Sequence, residues 1–392
     1  MRTLVLAVSL LVAGRTAEAA SGAVFAKVLF YQNNNDYCPA TQDCTAANYL
    51  QSQYNTYQPF ANAKVFVEDA DGNLLGQSSI GADGYFTMNW FSSSLPSSAR
   101  IYVRPFHKDN RFRFYLASGA SYKFQFPTFT PINGTTLNGT AQDLGTYTLG
   151  TAASPSIYAN VFDGAQRMWN DALRYSSDMV NNFNDVEIRA FGNDSECSSS
   201  CTSGKLIKLD SNATYVLSRR ILHEMGHVVS STAKAWDTNA DYCYDSPGAA
   251  NCGWNFTTPE WKSRSFEEGI ATFFGDVTLY WYWANNPVIN GVSRENQTAT
   301  CAAGQSRWAE SVLRYVWDVY DSHADAGWVD DTQYSYDTIV ETLQKFCDGS
   351  GDHCVNEGQV NNDGRSSSDF AYNLALINGD STPTERVHNC VD

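Results

Sequence analysis

Positive charge is scarce in this chain: 26 lysines and arginines stand against 42 aspartates and glutamates, a formal charge of −16. A surface of that sign repels phosphate backbones and anionic headgroups, which argues against nucleic acid and charged membranes as partners. The excess acid reads as a solubility feature, not as a guide to substrate. Beyond Ala20 no apolar run is long enough to span a bilayer. No G-x-S-x-G occurs, so a serine-hydrolase elbow is missing. No pair of C-x-x-C motifs occurs, which removes a cysteine zinc site. Internal repeats, heptads and low-complexity tracts are also lacking. Histidine is rare, with six in 392 residues.

What is present is the material of a globular protein. The length of 392 residues suits two domains, and a hydrophobic fraction of 43% with 10 Trp, 22 Tyr and 21 Phe supplies their interiors. At the start, Arg2 precedes the short apolar run Leu4 to Gly14, and Ala17-Glu18-Ala19 has small residues at a peptidase-compatible spacing. Residues 1–19 therefore read as a signal peptide and the chain as secreted, extracellular or periplasmic. All ten cysteines lie beyond that cut, an even number that fits disulfides formed in an oxidising compartment. Cys38/Cys44, Cys197/Cys201, Cys243/Cys252 and Cys347/Cys354 are spaced for local staples and leave Cys301 and Cys390, although spacing does not fix connectivity. Nothing in the sequence speaks to oligomeric state.

Residues 20–150 alternate apolar and polar positions in short runs broken by Gly, Asp and Asn, the pattern of an all-β sandwich. In Ala63 to Asn73 a strand runs into an Asp-Gly turn, and Ala82-Asp83-Gly84-Tyr85-Phe86-Thr87 repeats the grammar. These residues resemble the transthyretin-like, carboxypeptidase-regulatory β-sandwich family. Near Leu149 to Ser156 the composition turns small and polar and the period lengthens to that of helices, so a domain boundary is expected there. From residue 151 to 392 the patterns mix: a helix punctuated by Val161 and Met168, then strands at Val186–Phe191 and Leu206–Leu209. The second domain is thus expected to be α+β.

The chemistry concentrates in His223-Glu224-Met225-Gly226-His227, inside a helix expected over Val216 to Ser231 with a buried stripe of Leu217, Ile221, Met225, Val228 and Val229. Histidines at i and i+4 stack on one helix face, so both imidazoles can reach one cation at about 2.0–2.1 Å. Glu224, directly after the first histidine, stands beside the metal without binding it and can take a proton from an attacking water. The competing reading, a chance surface pattern on an amphipathic helix, is weakened by the rarity of histidine.

A catalytic zinc needs a third protein ligand and one open position. The metzincin continuation is absent, since Val228 to Lys234 contains no histidine, and His107, His323, His353 and His388 are scattered. A carboxylate is the better candidate. Ser265 to Asp276 is helical in pattern and offers both Glu267 and Glu268. Glu267 shares its face with Ile270 and Phe274, whereas Glu268 is followed on its own face by the small Ala271, Thr272 and Gly275, which permit close approach to the His223 helix. Glu268 is preferred, with Glu267 as the alternative. As donors to a developing oxyanion, Tyr280, Tyr282, Tyr320 and His323 are candidates. Asp237 to Asp241 alternates oxygen ligands like the opening of a calcium loop but lacks its glycine and closing glutamate, and reads as a solvated loop.

Tyr215 to Tyr280 resembles the gluzincin metallopeptidases, the group containing thermolysin and the zinc aminopeptidases, in which H-E-x-x-H is followed by a helix bearing a ligand glutamate. Glu268-Gly269-Ile270-Ala271 looks like the aminopeptidase E-G-x-A. The resemblance implies a zincin-like catalytic domain, Zn2+ held by His223, His227 and Glu268, Glu224 as general base, and a peptide or protein substrate. Two departures stand out. Forty residues separate His227 from Glu268, a longer gap than the family's, and Thr272 occupies the place of an aspartate that in thermolysin-like relatives orients a ligand histidine. Asp276 or Asp318 is a candidate substitute. Two rival readings remain: a non-catalytic extracellular binding or adhesion protein with structural zinc, and a zinc hydrolase acting on something other than peptides.

Overall fold

The computed structural model describes residues 19–32, 56–134, 141–171, 173–192, 200–210, 217–232, 262–280, 288–289, 292–293, 309–320, 333–344 and 367–379. Residues 1–18 of the expected signal peptide, the Asp237 to Asp241 loop, Tyr282 and His323 lie outside these residues. So do all cysteines except Cys201, and with them the pairings.

Among the described residues the N-terminal stretch forms nine strands: β1 (Ala20–Tyr31), β2 (Tyr57–Pro59), β3 (Ala63–Asp69), β4 (Leu74–Ser79), β5 (Tyr85–Ser92), β6 (Ala99–His107), β7 (Phe112–Leu116), β8 (Phe124–Phe129) and β9 (Gln142–Thr151). Their period of two is legible in burial: Val24, Ala26, Val28 and Phe30 of β1 point inward, as do Phe86, Met88 and Trp90 of β5 and Ile101, Val103 and His107 of β6. The two Asp-Gly signals become turns. β3 leaves through Gly72 at φ 85 before β4, and Gly84 at φ 84 precedes β5, with the Asp83 carboxylate accepting from the Tyr85 amide at 3.0 Å.

After β10 (Ser154–Pro155), which hairpins onto β9, the chain turns helical with α1 (Ile157–Asp171), a short helical turn (Leu173–Tyr175) and α2 (Ser177–Asn182). It then adds β11 (Val186–Gly192), β12 (Cys201–Ser203) and β13 (Leu206–Asp210) before α3 (Leu217–Thr232) and α4 (Lys262–Tyr280). A small hairpin, β14 (Val288–Ile289) and β15 (Val292–Ser293), precedes α5 (Ala309–Tyr320), α6 (Tyr336–Gln344) and α7 (Ser367–Asn378).

The strands gather into two main sheets among the described residues. One has the order β10-β9-β1-β2 with β5 also paired to β1. The other runs β12-β13-β11-β7-β6-β3-β4 with β8 on β6. This second sheet crosses the point where composition changes. β11 lies parallel to β7, pairing Val186 with Phe112 through to Ala190 with Leu116, so strands from both stretches share one sheet. Side chains fasten the seam: the Arg111 guanidinium donates to the Val180 and Phe183 carbonyls at 2.6 and 3.1 Å, and Arg113 meets Asp185 at 2.7 Å. Pairing over such a sequence distance leaves no local signature, which is why composition alone marks a boundary here. α1 bridges β6 and α3, and α3, α4 and α5 pack in succession.

Candidate metal centre

α3 and α4 approach until backbone meets backbone. A methyl group on Gly226 would lie 2.3 Å from the Ala271 carbonyl oxygen, and one on Gly275 would lie 3.3 Å from the His223 amide nitrogen. The small face of Ala271, Thr272 and Gly275 is therefore turned toward α3. On the other side of α4, a methyl on Gly269 would meet the Val312 Cβ at 2.6 Å, so α5 presses equally close. Ile221, Leu222, Met225, Val228 and Val229 of α3 and Phe266, Ile270, Phe273, Phe274 and Val277 of α4 are all buried. Helices locked in this way hold their polar side chains in fixed relation.

Three of those side chains converge. His223 Nε2 lies 3.2 Å from Glu268 Oε2, His227 Nε2 lies 3.4 Å from the same oxygen, and the two imidazole nitrogens are 3.2 Å apart. His227 and Glu268 are buried and His223 is partly exposed, which leaves one open side. Among the described residues these three form a group able to hold a metal. Glu267, the alternative third ligand, is buried but is not a member.

The spacing can be tested against the ion. Tetrahedral zinc with ligand bonds of about 2.0–2.1 Å requires ligand atoms about 3.3 Å apart. The three edges of 3.2, 3.2 and 3.4 Å match that value. The tautomer fits too. The Thr272 hydroxyl gives its single proton to the Glu268 carbonyl at 2.9 Å and so must accept at 3.0 Å from His223 Nδ1–H. In the neutral ring His223 Nε2 is then a bare lone pair aimed at a carboxylate oxygen, an arrangement that a shared cation relieves. The residues present fit zinc.

Thr272 is thus the partner of His223, at the position where the family resemblance leads one to look for a carboxylate. A hydroxyl can do this work because its own proton is already committed to the helix backbone. Asp276 is buried on the same helix, one turn further on, and the side chain of Asp318 lies outside the described residues. Of the candidate oxyanion donors, Tyr320 packs against Phe273 and Trp317 at ring separations of 5.4 and 6.1 Å, and the Tyr280 side chain is outside the described residues.

Glu224 stays out of the triangle. It is 5% exposed, and its Oε2 accepts from the Thr202 hydroxyl of β12 at 2.7 Å. That contact has no signal in the sequence, because it joins the end of a sheet to a helix that begins after an intervening strand.

No family model and no curated protein matches this chain. Among solved structures it is similar to a 9R-lipoxygenase from Cyanothece PCC8801, at 12% identity over 55% of this chain and 23% of that one, with a TM-score of 0.18. The chain spans under a quarter of that protein's length, and a likeness of this degree carries no argument about fold or chemistry. No helix among the described residues is long and apolar enough to cross a membrane.

Proposed function

We propose that this chain is a secreted zinc-dependent peptidase, with His223, His227 and Glu268 as metal ligands and Glu224 as general base. In this reading the N-terminal strands are a transthyretin-like sandwich, and the remainder is a zincin-like α+β catalytic unit. The observation that carries the proposal is the near-equilateral triangle of ligand atoms, edged at 3.2, 3.2 and 3.4 Å, with a carboxylate next in sequence held outside it. A purely structural site needs ligands and closes all four positions, whereas this one has three ligands among the described residues, one of them partly exposed.

Bound zinc supplies a Lewis acid that polarises a carbonyl and lowers the pKa of a water. The chain's own groups do the rest. Thr272 holds the His223 ring with Nε2 directed at the metal position. Glu224 accepts a proton from the attacking water and delivers it to the departing nitrogen.

The test is zinc content together with proteolysis. The expected result is one zinc per chain and cleavage of casein or a peptide library, abolished by a chelator and by Glu224→Gln with zinc retained. One bound zinc with no peptide cleaved would refute the peptidase and leave the binding protein or a zinc hydrolase of another substrate class.

A further inference from the structure

We propose that Thr202 is a positioning residue for the general base, fixing the Glu224 carboxylate so that Oε2 is occupied and Oε1 takes the proton. This rests on the peptidase reading above. Thr202 lies on β12, the last strand of the eight-stranded sheet, which pairs antiparallel with β13. Its hydroxyl oxygen is 2.7 Å from Glu224 Oε2 and 3.1 Å from the Glu224 carbonyl oxygen. A hydroxyl has one proton, and the shorter contact to an ionised oxygen is the stronger bond. The Glu224 carbonyl sits in the interior of α3, where the helix ladder already offers it an amide. The carboxylate is therefore the partner that needs Thr202.

The geometry also accounts for the place of the buried Glu224 carboxylate outside the His223, His227 and Glu268 group. α3 packs on β12 and β13, so its Glu224 face meets the sheet while its histidine face meets α4. Glutamate has three rotatable side-chain bonds, and an unanchored rotamer would divide its time between the sheet and the metal. One bond from a sheet strand selects the rotamer that keeps Glu224 as a base.

The experiment compares Thr202→Val, which keeps the shape and removes the hydroxyl, with Thr202→Ser, which keeps the hydroxyl. Peptide hydrolysis, zinc content, thermal melting and crystal structures of the zinc-loaded proteins are read for both. Thr202→Val should lower kcat about 10- to 100-fold, with KM within about twofold, the fold-change expected for losing one hydrogen bond to a charged group. Thr202→Ser should hold kcat within about threefold of the parent. Zinc content should be unchanged in both, and Glu224 should occupy one rotamer in the parent and the serine variant and spread over several in the valine variant. Parental kcat in Thr202→Val, equal losses in the two variants, or a valine variant that no longer melts cooperatively would each overturn the proposal. If the parent cleaves no peptide yet its crystal structure shows Glu224 ordered by Thr202 and disordered in Thr202→Val, the peptidase reading fails and the positioning of the carboxylate stands.

Discussion

Substituting Gly226 by alanine sets two elementary effects against each other. Alanine is the better helix former by about 1 kcal/mol, so an isolated α3 would gain from Gly226→Ala. In the folded protein the new methyl would lie 2.3 Å from the Ala271 carbonyl oxygen, 2.7 Å from its Cα and 2.8 Å from its carbonyl carbon. All three are backbone atoms of α4 and have no rotamer to escape into. Ordinary contact begins at 3.4 Å, so the helices must part by 3.4 − 2.3 = 1.1 Å along that line. Overpacking of this kind costs about 1–3 kcal/mol, and a backbone obstacle places it at the upper end. The net expectation is a loss of roughly 2 kcal/mol. The separation also falls between the imidazoles and Glu268, where a working constellation tolerates only about 0.5 Å. Urea unfolding followed by circular dichroism measures the first effect, and calorimetric zinc titration the second. A Gly226→Ala protein as stable as its parent and binding zinc equally well would refute the helix contact as drawn.

Other outcomes follow from single contacts. Glu268→Gln should abolish stoichiometric zinc binding measured by atomic absorption after dialysis, while Glu267→Gln retains it; the reverse pattern would exchange their roles. Thr272→Val removes the acceptor of His223 Nδ1–H and should weaken zinc binding about 10- to 100-fold, the usual cost of deleting a partner behind a ligand. His107 is 1% exposed and its Nδ1 accepts from the Asp109 amide at 3.2 Å, and burial lowers its pKa from 6.5 to about 4. Because the unfolded chain binds the proton first, the stability due to neutral His107 is complete above pH 6.5 and is lost as pH falls toward 4. A lowering of this size corresponds to about 3 kcal/mol, and the urea midpoints at pH 7 and 4.5 should lie closer together in a stable His107→Gln variant than in the parent.

Helix-encoded chemistry was open to reading because a helix turns sequence spacing directly into geometry. His223 and His227 share a face by count alone, and the small residues after Glu268 mark the face that lies against α3. Thr272 stands on the right face, but its role is not legible in spacing, because the hydroxyl accepts from His223 only once its own proton is committed to the Glu268 carbonyl. Thr202 and the β7–β11 pairing were invisible for another reason. Each joins residues from separate elements, and neither changes a local period or composition. The turn residues Gly72 and Gly84, by contrast, are chosen locally, and their placement follows from the sequence.

The parallel seam between β7 and β11 bears on how this protein could be taken apart. The Val186 amide donates to the Arg111 carbonyl and the Asp185 amide to that of Asn110, and Arg111 stacks 4.2 Å over the Trp169 ring while donating to the carbonyls of Val180 in α2 and Phe183 just after it. A gene cut at codon 151 would yield a fragment in which β11 has lost its neighbour β7, leaving an unpaired ribbon open to self-association. The N-terminal strands are thus built into the sheet that backs the histidine helix, and attempts to shrink the protein to its histidine helices should start by keeping them.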